Sequence, residues 1–222
     1  LLWVRIDPKM ELPLRVVWTG RADEPAWAGM PETMCIAQLM RDPDVASSQA
    51  AAAALGTYGT VTAIDALAAV AGDGSQYFRV RTAAVSALGR LVGSEEGHVA
   101  ISRMLELLKA GFYIGGHLRP NDFSDLSGYA TLKSLVEVLG TCRDSGGFTP
   151  ESAVEQLLEL LEQNDNSTNE FDDCFFLGSL LRALASCRPR RTGWSRVVIS
   201  QISRHLRIDA FRGSHDGVLA RA

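Results

Sequence analysis

The chain has 222 residues, of which 46% are hydrophobic, so it can bury a substantial core as one globular domain or as several stacked repeats. Its four cysteines show no paired metal-ligand spacing and are too sparse for a disulfide framework, which favours a reducing intracellular compartment. No run of about 18 apolar residues is present, so no membrane-spanning helix is predicted. The N-terminus lacks the basic segment of a signal peptide and begins at Leu1 rather than at an initiator Met, so we expect a fragment of a longer polypeptide.

Charge is distributed unevenly along the chain. Residues 1–186 carry 14 Lys and Arg against 24 Asp and Glu, a net charge of −10. Residues 187–222 carry 8 Arg against 2 Asp, a net charge of +6. The two parts sum to the overall formal charge of −4, and the C-terminal part is locally basic.

The first 31 residues differ from the rest in pattern. Residues 1–6 and 14–19 are rich in β-formers and alternate apolar with polar side chains, which predicts a β-hairpin or the last strands of a preceding sheet within residues 1–19. Residues 20–31 contain two glycines and two prolines and are predicted to form a linker.

From Glu32 onward the apolar residues follow a helical period. About nine helices are predicted, with a tenth beginning near Gly217. Asp42 is the predicted N-cap of the second helix, and Asp122 with Asp125 forms a predicted capping pair for the sixth. Sliding the sequence by 33 positions places the alanine-rich end of the second helix, 50–56, over 83–89 in the fourth. This self-similarity predicts a mainly α fold, a HEAT/ARM-like α-solenoid of about nine helices over residues 32–222.

Several stretches carry a family resemblance. These stretches are residues 2–8, 41–45, 77–81, 119–125 and 164–171. In their order and spacing they resemble the TBP-associated factor 2 family, whose members are large subunits of the general transcription factor TFIID. The resemblance implies an aminopeptidase-like architecture. Residues 1–19 would then be the end of an upstream β-sandwich, 20–31 the linker, and 32–222 a HEAT-like helical array.

The same resemblance implies a function. It points to a non-catalytic scaffold and interaction module that supports TFIID assembly and core-promoter engagement during transcription initiation by RNA polymerase II in the nucleus. The implied partners are other TFIID subunits, especially TBP-associated factors 1 and 8, and promoter DNA through backbone contacts. No cofactor and no membrane are implied.

The alternative is the helical C-terminal domain of an active zinc aminopeptidase. Such an enzyme needs His-Glu-x-x-His, which places two imidazoles one helical turn apart on one metal with Glu as the base. The sequence does not contain this motif, and no two of its four histidines are four residues apart. We therefore predict no catalysis within this chain.

The basic C-terminal part supplies the candidate binding residues. Three arginines surround Pro189, and three more are predicted to share a broad face of the ninth helix: Arg188, Arg190, Arg191, Arg196, Arg204 and Arg207. They predict a contact with phosphates or with an acidic partner that is independent of base sequence. The alternative is an ordinary solvated loop and helix face.

Two further features are predicted to be structural. Arg81 falls inside the apolar arc of the fourth helix, so it should form an ion pair, with Asp44, Asp65 or Asp73 as candidate partners. The oxygen-rich stretch 164–169 lacks the glycine and glutamate of an EF-hand, and an Asx-rich turn at the start of the eighth helix is the preferred interpretation over a calcium site.

Overall fold

The computed structural model describes residues 30–212 and 217–221. The strands predicted within 1–19 lie outside the described residues, as do residues 20–29 of the linker predicted over 20–31. The described part contains ten helices: α1 (Glu32–Arg41), α2 (Val45–Leu55), α3 (Val61–Gly72), α4 (Phe78–Leu91), α5 (Gly97–Phe112), α6 (Leu126–Thr141), α7 (Glu151–Gln163), α8 (Cys174–Ser186), α9 (Thr192–Arg212) and α10 (Val218–Arg221).

The helices stack in two layers. The even-numbered helices form one layer, in which α2 contacts α4, α4 contacts α6, α6 contacts α8, and α8 contacts α10. The odd-numbered helices form the second layer, in which α1 contacts α3, α3 contacts α5, and α5 contacts α7. Each hairpin therefore packs mainly on its neighbours, which is the arrangement of an α-solenoid and confirms the predicted fold class.

A continuous apolar core runs between the layers. Helix α4 shows how the sequence specifies this core, because the apolar residues buried on this helix follow the predicted apolar arc: Val80, Ala84, Val85, Ala87, Leu88 and Leu91. Small residues allow the closest approaches. A Cβ atom placed on Gly140 of α6 would lie 2.6 Å from the Cα atom of Ala183 in α8, so these two backbones are nearly in contact.

Two predicted helix starts differ from the structure. Asp44, rather than Asp42, caps α2, and its carboxylate accepts a hydrogen bond from the backbone N–H of Ser47 at 2.8 Å. Asp42 is extended, as expected for a residue that precedes a proline, and therefore belongs to the end of α1. In α6 the cap is Asp125, which accepts from Gly128 N–H at 2.8 Å, while Asp122 caps a turn at Ser124.

A small hairpin joins α5 to α6 and was not predicted. Strands β1 (Tyr113–Ile114) and β2 (His117–Leu118) pair in antiparallel register, with Tyr113 opposite Leu118. The turn consists of Gly115 and Gly116, whose φ angles are +59° and +86°. Positive φ at both central residues is typical of a tight hairpin turn, so the Gly-Gly pair in the sequence indicates this hairpin.

Candidate functional site

The loop between α8 and α9 holds the first three candidate arginines, and two of them are already paired within the chain. Arg190 Nη2 lies 3.2 Å from a carboxylate oxygen of Asp144, and its guanidinium lies 4.9 Å from the ring centre of Phe148. Arg191 Nε lies 2.9 Å from Glu151. These contacts use the charges of Arg190 and Arg191 to attach the loop to residues 144–151.

Backbone hydrogen bonds attach the same loop. The N–H of Thr149 donates to the carbonyl oxygen of Arg188 at 2.9 Å, and the N–H of Arg188 donates to the Thr149 hydroxyl at 2.8 Å. The side chain of Arg188 is exposed and makes no ion pair with any residue in the described part of the chain. The 188–191 segment is therefore a packed connection with one available cation.

Helix α9 presents the other three candidate arginines together. Arg196, Arg204 and Arg207 are all exposed, and none forms an ion pair within residues 30–212 and 217–221. At 100° per residue they fall within an arc of about 80° on the side of α9 away from the core. They span about 16 Å along the helix axis at 1.5 Å per residue. We call this arc the α9 basic face.

Hydroxyl groups accompany these arginines. Ser200 and Ser203 line a shallow surface depression on α9 together with Arg204, Arg207 and Ile208. Guanidinium and hydroxyl groups on one helix face are donors suited to phosphate oxygens. Of the six predicted arginines, the structure thus brings three onto one surface and separates them from the two that are paired.

Arg81 is buried, with 8% of its surface exposed, and it joins three helices. Its Nε donates to the carbonyl oxygen of Ala71 in α3 at 3.0 Å, and Nη1 donates to the hydroxyl of Ser127 in α6 at 3.3 Å. Asp65 bonds to Arg103 of α5 at 2.9 Å. Hydrogen bonds from Ser75 lower the pKa of Asp73, and the charge of Arg81 adds to that shift. The predicted ion pair between Arg81 and a carboxylate stays a prediction.

Arg143 is a structural residue that the sequence analysis missed. Its Nη1 donates to the carbonyl oxygens of Gly140 and Cys142 at 2.9 and 2.6 Å and to the Thr149 hydroxyl at 3.0 Å. Its Nη2 donates to the carbonyl oxygen of Ser186 at 2.6 Å. The cation therefore binds carbonyls at the C-terminal ends of both α6 and α8, where helix dipoles favour positive charge. A lone arginine after a helix carries only a weak signal of this role.

The two asparagine-containing stretches that carry the family resemblance meet in the structure. Asn169 Nδ2 donates to the carbonyl oxygen of Asn121 at 2.9 Å, and the ring centres of Phe123 and Phe171 are 6.0 Å apart. Asp165 accepts from the N–H of Ser167 at 2.9 Å, which is an Asx turn as preferred over the calcium interpretation. Within the described residues no group of three or more His, Cys, Asp or Glu is placed to hold a metal ion.

The two layers of stacked helices define the class of this protein, which is an α-solenoid built from helical hairpins. None of the helices described is both long and apolar enough to span a bilayer. A family model described as TAF2-like, TPR repeats matches residues 33–207, and the chain belongs to this family. Repeats of this TPR-like type are stacked helical hairpins, which fits the predicted α-solenoid.

Curated relatives agree with the family. The chain is 29% identical to transcription initiation factor TFIID subunit 2 of Schizosaccharomyces pombe over 238 aligned residues, which cover 98% of this chain and 19% of the relative. It is 26% identical to the TFIID subunit 2 proteins of Gallus gallus and Danio rerio over 84% of its length. The chain spans about a fifth or less of these relatives, with 19% of the first and 15% of the other two covered.

Proposed function

We propose that this chain is a non-catalytic scaffold of a TFIID subunit, which supports complex assembly and core-promoter engagement in the nucleus. The relatives that it matches are named as TFIID subunit 2, and its family consists of helical repeats. An α-solenoid offers an extended surface on which other proteins and nucleic acid can bind. The aminopeptidase alternative is not favoured, because the matched family is TAF2-like and the matched relatives are transcription factors.

The proposed protein partners are other TFIID subunits, TBP-associated factors 1 and 8 by resemblance. The test is co-expression of the tagged chain with each of these two subunits, followed by affinity purification and size-exclusion chromatography. A stoichiometric complex with at least one of them is expected. Failure of both subunits to co-elute with the chain would contradict the assembly role.

The α9 basic face is the observation that carries the proposed DNA contact. Three exposed guanidinium groups without ion-pair partners in the described chain, together with two hydroxyl groups, provide donors for a run of phosphates. No base-reading motif accompanies them, so the contact should be independent of sequence. The loop arginines Arg190 and Arg191 contribute less, because Asp144 and Glu151 neutralise them.

The DNA contact is tested by fluorescence anisotropy with a duplex of about 20 base pairs at several salt concentrations. Replacing Arg196, Arg204 and Arg207 with Gln should weaken binding and reduce the slope of log K against log salt by about 2 to 3, since each lost phosphate contact removes about 0.9. A charge-matched control replaces Arg41, Arg79 and Arg90, which are exposed on α1 and α4. Equal slopes for the two triple variants would show that only net charge matters and would contradict the proposed face.

A further inference from the structure

The segments 119–126 and 164–175, which meet through Asn121 and Asn169, leave large apolar side chains in solvent. Leu126 is 67% exposed, Phe171 is 62% exposed and Phe175 is 51% exposed. Phe171 packs edge-on against Phe123, which in turn lies 5.4 Å from Tyr129. We call these two segments together the acidic–aromatic surface. Aromatic side chains held in place by neighbours and still exposed are typical of protein-binding sites.

The same two segments are strongly acidic. They contain six carboxylates and one basic residue, Arg119, which gives a net charge of −5; the carboxylates are Asp122, Asp125, Asp165, Glu170, Asp172 and Asp173. Arg119 lies over the ring of Phe112, and Lys133 of α6 lies over that of Tyr129, so both nearby cations rest on aromatic faces.

Hydrogen bonds favour the charged form of two of these carboxylates. Ser124 donates to Asp122 through both its side chain and its backbone, and these bonds lower the pKa of Asp122. Ser167 lowers the pKa of Asp165 in the same way. Asp122 and Asp165 therefore contribute negative charge to the surface.

A small cavity beside this surface contains an amide without a partner. It has a volume of about 20 Å³, and its walls include Phe112, Asn121, Asp122, Asp125 and Tyr129. Asn121 is 7% exposed, and its buried Nδ2 has no hydrogen-bond partner among the described residues. An unpaired buried donor is costly, and a cavity of this size holds one water molecule when polar groups surround it. Asn121 therefore lacks an acceptor at the edge of the acidic–aromatic surface.

We propose that the acidic–aromatic surface binds an extended segment of a partner protein that carries Lys or Arg interleaved with apolar side chains. Its apolar side chains pack on Leu126, Phe171 and Phe175, and its cations pair with the surrounding carboxylates. A carbonyl oxygen of the segment completes the shell of a water molecule in the cavity, to which Asn121 Nδ2 donates. Charge decides between partner classes, because a net charge of −5 repels nucleic acid and attracts a basic peptide.

This inference deepens the proposed assembly role and rests on it, but it concerns a surface distinct from the α9 basic face. The test uses the complete 222-residue chain as bait for a phage library of random peptides of about 12 residues. Selected peptides should be enriched in Lys or Arg together with Leu, Ile or Phe. Enrichment of acidic sequences, or of none, would overturn the proposal, whereas co-purification with TFIID subunits and the salt slope for DNA would be unaffected.

Variants locate the binding site. A fluorescein-labelled peptide of about 12 alternating lysines and leucines serves as the defined probe, and its glutamate–leucine counterpart should not bind. Replacing Phe171 and Phe175 with Ala should weaken binding at least about tenfold, as loss of buried aromatic anchors does. The matched control replaces the exposed Met40 and Val61 with Ala and should leave affinity within about twofold. Equal losses for the two pairs would overturn the assignment.

Asn121→Leu separates binding from folding. Because Asn121 Nδ2 bonds to no other group in the described residues, removing the amide should leave the thermal midpoint unchanged or higher. Affinity for the lysine–leucine peptide should nevertheless fall at least about threefold, since the water-mediated contact is lost. An unchanged affinity would overturn the placement of the segment beside this cavity.

Discussion

At the scale of single residues, Arg143 makes structural contacts that the sequence hardly indicates. Its guanidinium donates to carbonyl oxygens at the ends of α6 and α8 and to the hydroxyl of Thr149. Thr149 in turn bonds the 188–191 segment through Arg188. The loop before α9, and with it the start of the α9 basic face, is therefore held in place through Arg143.

Arg143→Met should lower the free energy of unfolding by about 3 kcal/mol, because four charge-assisted hydrogen bonds are lost and their carbonyls are left partly buried. Urea denaturation followed by circular dichroism measures the change. Arg143→Lys should lie between the wild type and Arg143→Met, because a single ammonium group cannot reach every acceptor.

Arg182→Met is the control for this loss. Arg182 is exposed on α8, and its guanidinium bonds only to the Ser179 hydroxyl, at 3.3 Å, within the described residues. Its replacement should cost less than about 1 kcal/mol. Equal destabilisation by Arg143→Met and Arg182→Met would show that the carbonyl contacts of Arg143 contribute nothing specific.

At the scale of helices, glycine sets how closely α6 and α8 approach. The backbone of Ala183 occupies the position where a side chain on Gly140 would begin, and backbone cannot move aside as a flexible side chain can. Gly111, near the end of α5, has no atom within 4 Å of such a position. The two glycines therefore differ in packing, although both lie in helices.

Gly140→Ala should destabilise the chain by about 2 to 3 kcal/mol, since the two helices must separate to admit a methyl group. Gly111→Ala should be neutral or stabilising by up to about 1 kcal/mol, because alanine is the better helix former. Urea midpoints of the two variants, compared at constant m-value, measure both effects. If Gly140→Ala were as stable as Gly111→Ala, α6 and α8 would have to be farther apart than described.

At the scale of the whole molecule, burial of ionisable groups makes the free energy of unfolding vary with pH in the alkaline range. Burial raises the pKa of Cys142 to about 12, that of Cys187 to about 11 and that of Tyr129 to about 12. Each pKa is higher in the folded chain than in the unfolded chain, where Cys ionises near pH 8.5 and Tyr near pH 10. The protonated forms therefore favour folding below about pH 8.5, and this contribution is lost progressively as the pH rises towards the folded values.

The free energy of unfolding should thus be nearly constant with respect to these groups up to about pH 8.5 and should fall between about pH 9 and pH 11. Urea titrations at successive pH values measure the slope. The double variant Cys142→Ala, Cys187→Ala should show a shallower decline, since two of the groups that take up protons preferentially in the folded state are gone. A decline of equal steepness in the variant would contradict the role of these thiols.

The sequence by itself determined the helices and their class. The apolar arc of α4 is a property of one helix, and the 33-residue self-similarity repeats such an arc, so both can be read without knowing any distant contact. Proline and aspartate marked the approximate start of α2, although the cap proved to be Asp44. The Gly115-Gly116 pair is a comparably local signal of the hairpin between α5 and α6, since both glycines have positive φ there.

Only the tertiary structure decided which polar side chains meet. Arg190 pairs with Asp144, and Asn169 bonds to the carbonyl oxygen of Asn121, across more than forty residues of chain in each case. Helical periodicity fixes the face on which a side chain lies but not its partner, because the stacking of neighbouring hairpins brings distant loops together. The charge of residues 187–222 was therefore evident from composition, whereas its division into paired loop arginines and the free α9 basic face required the fold.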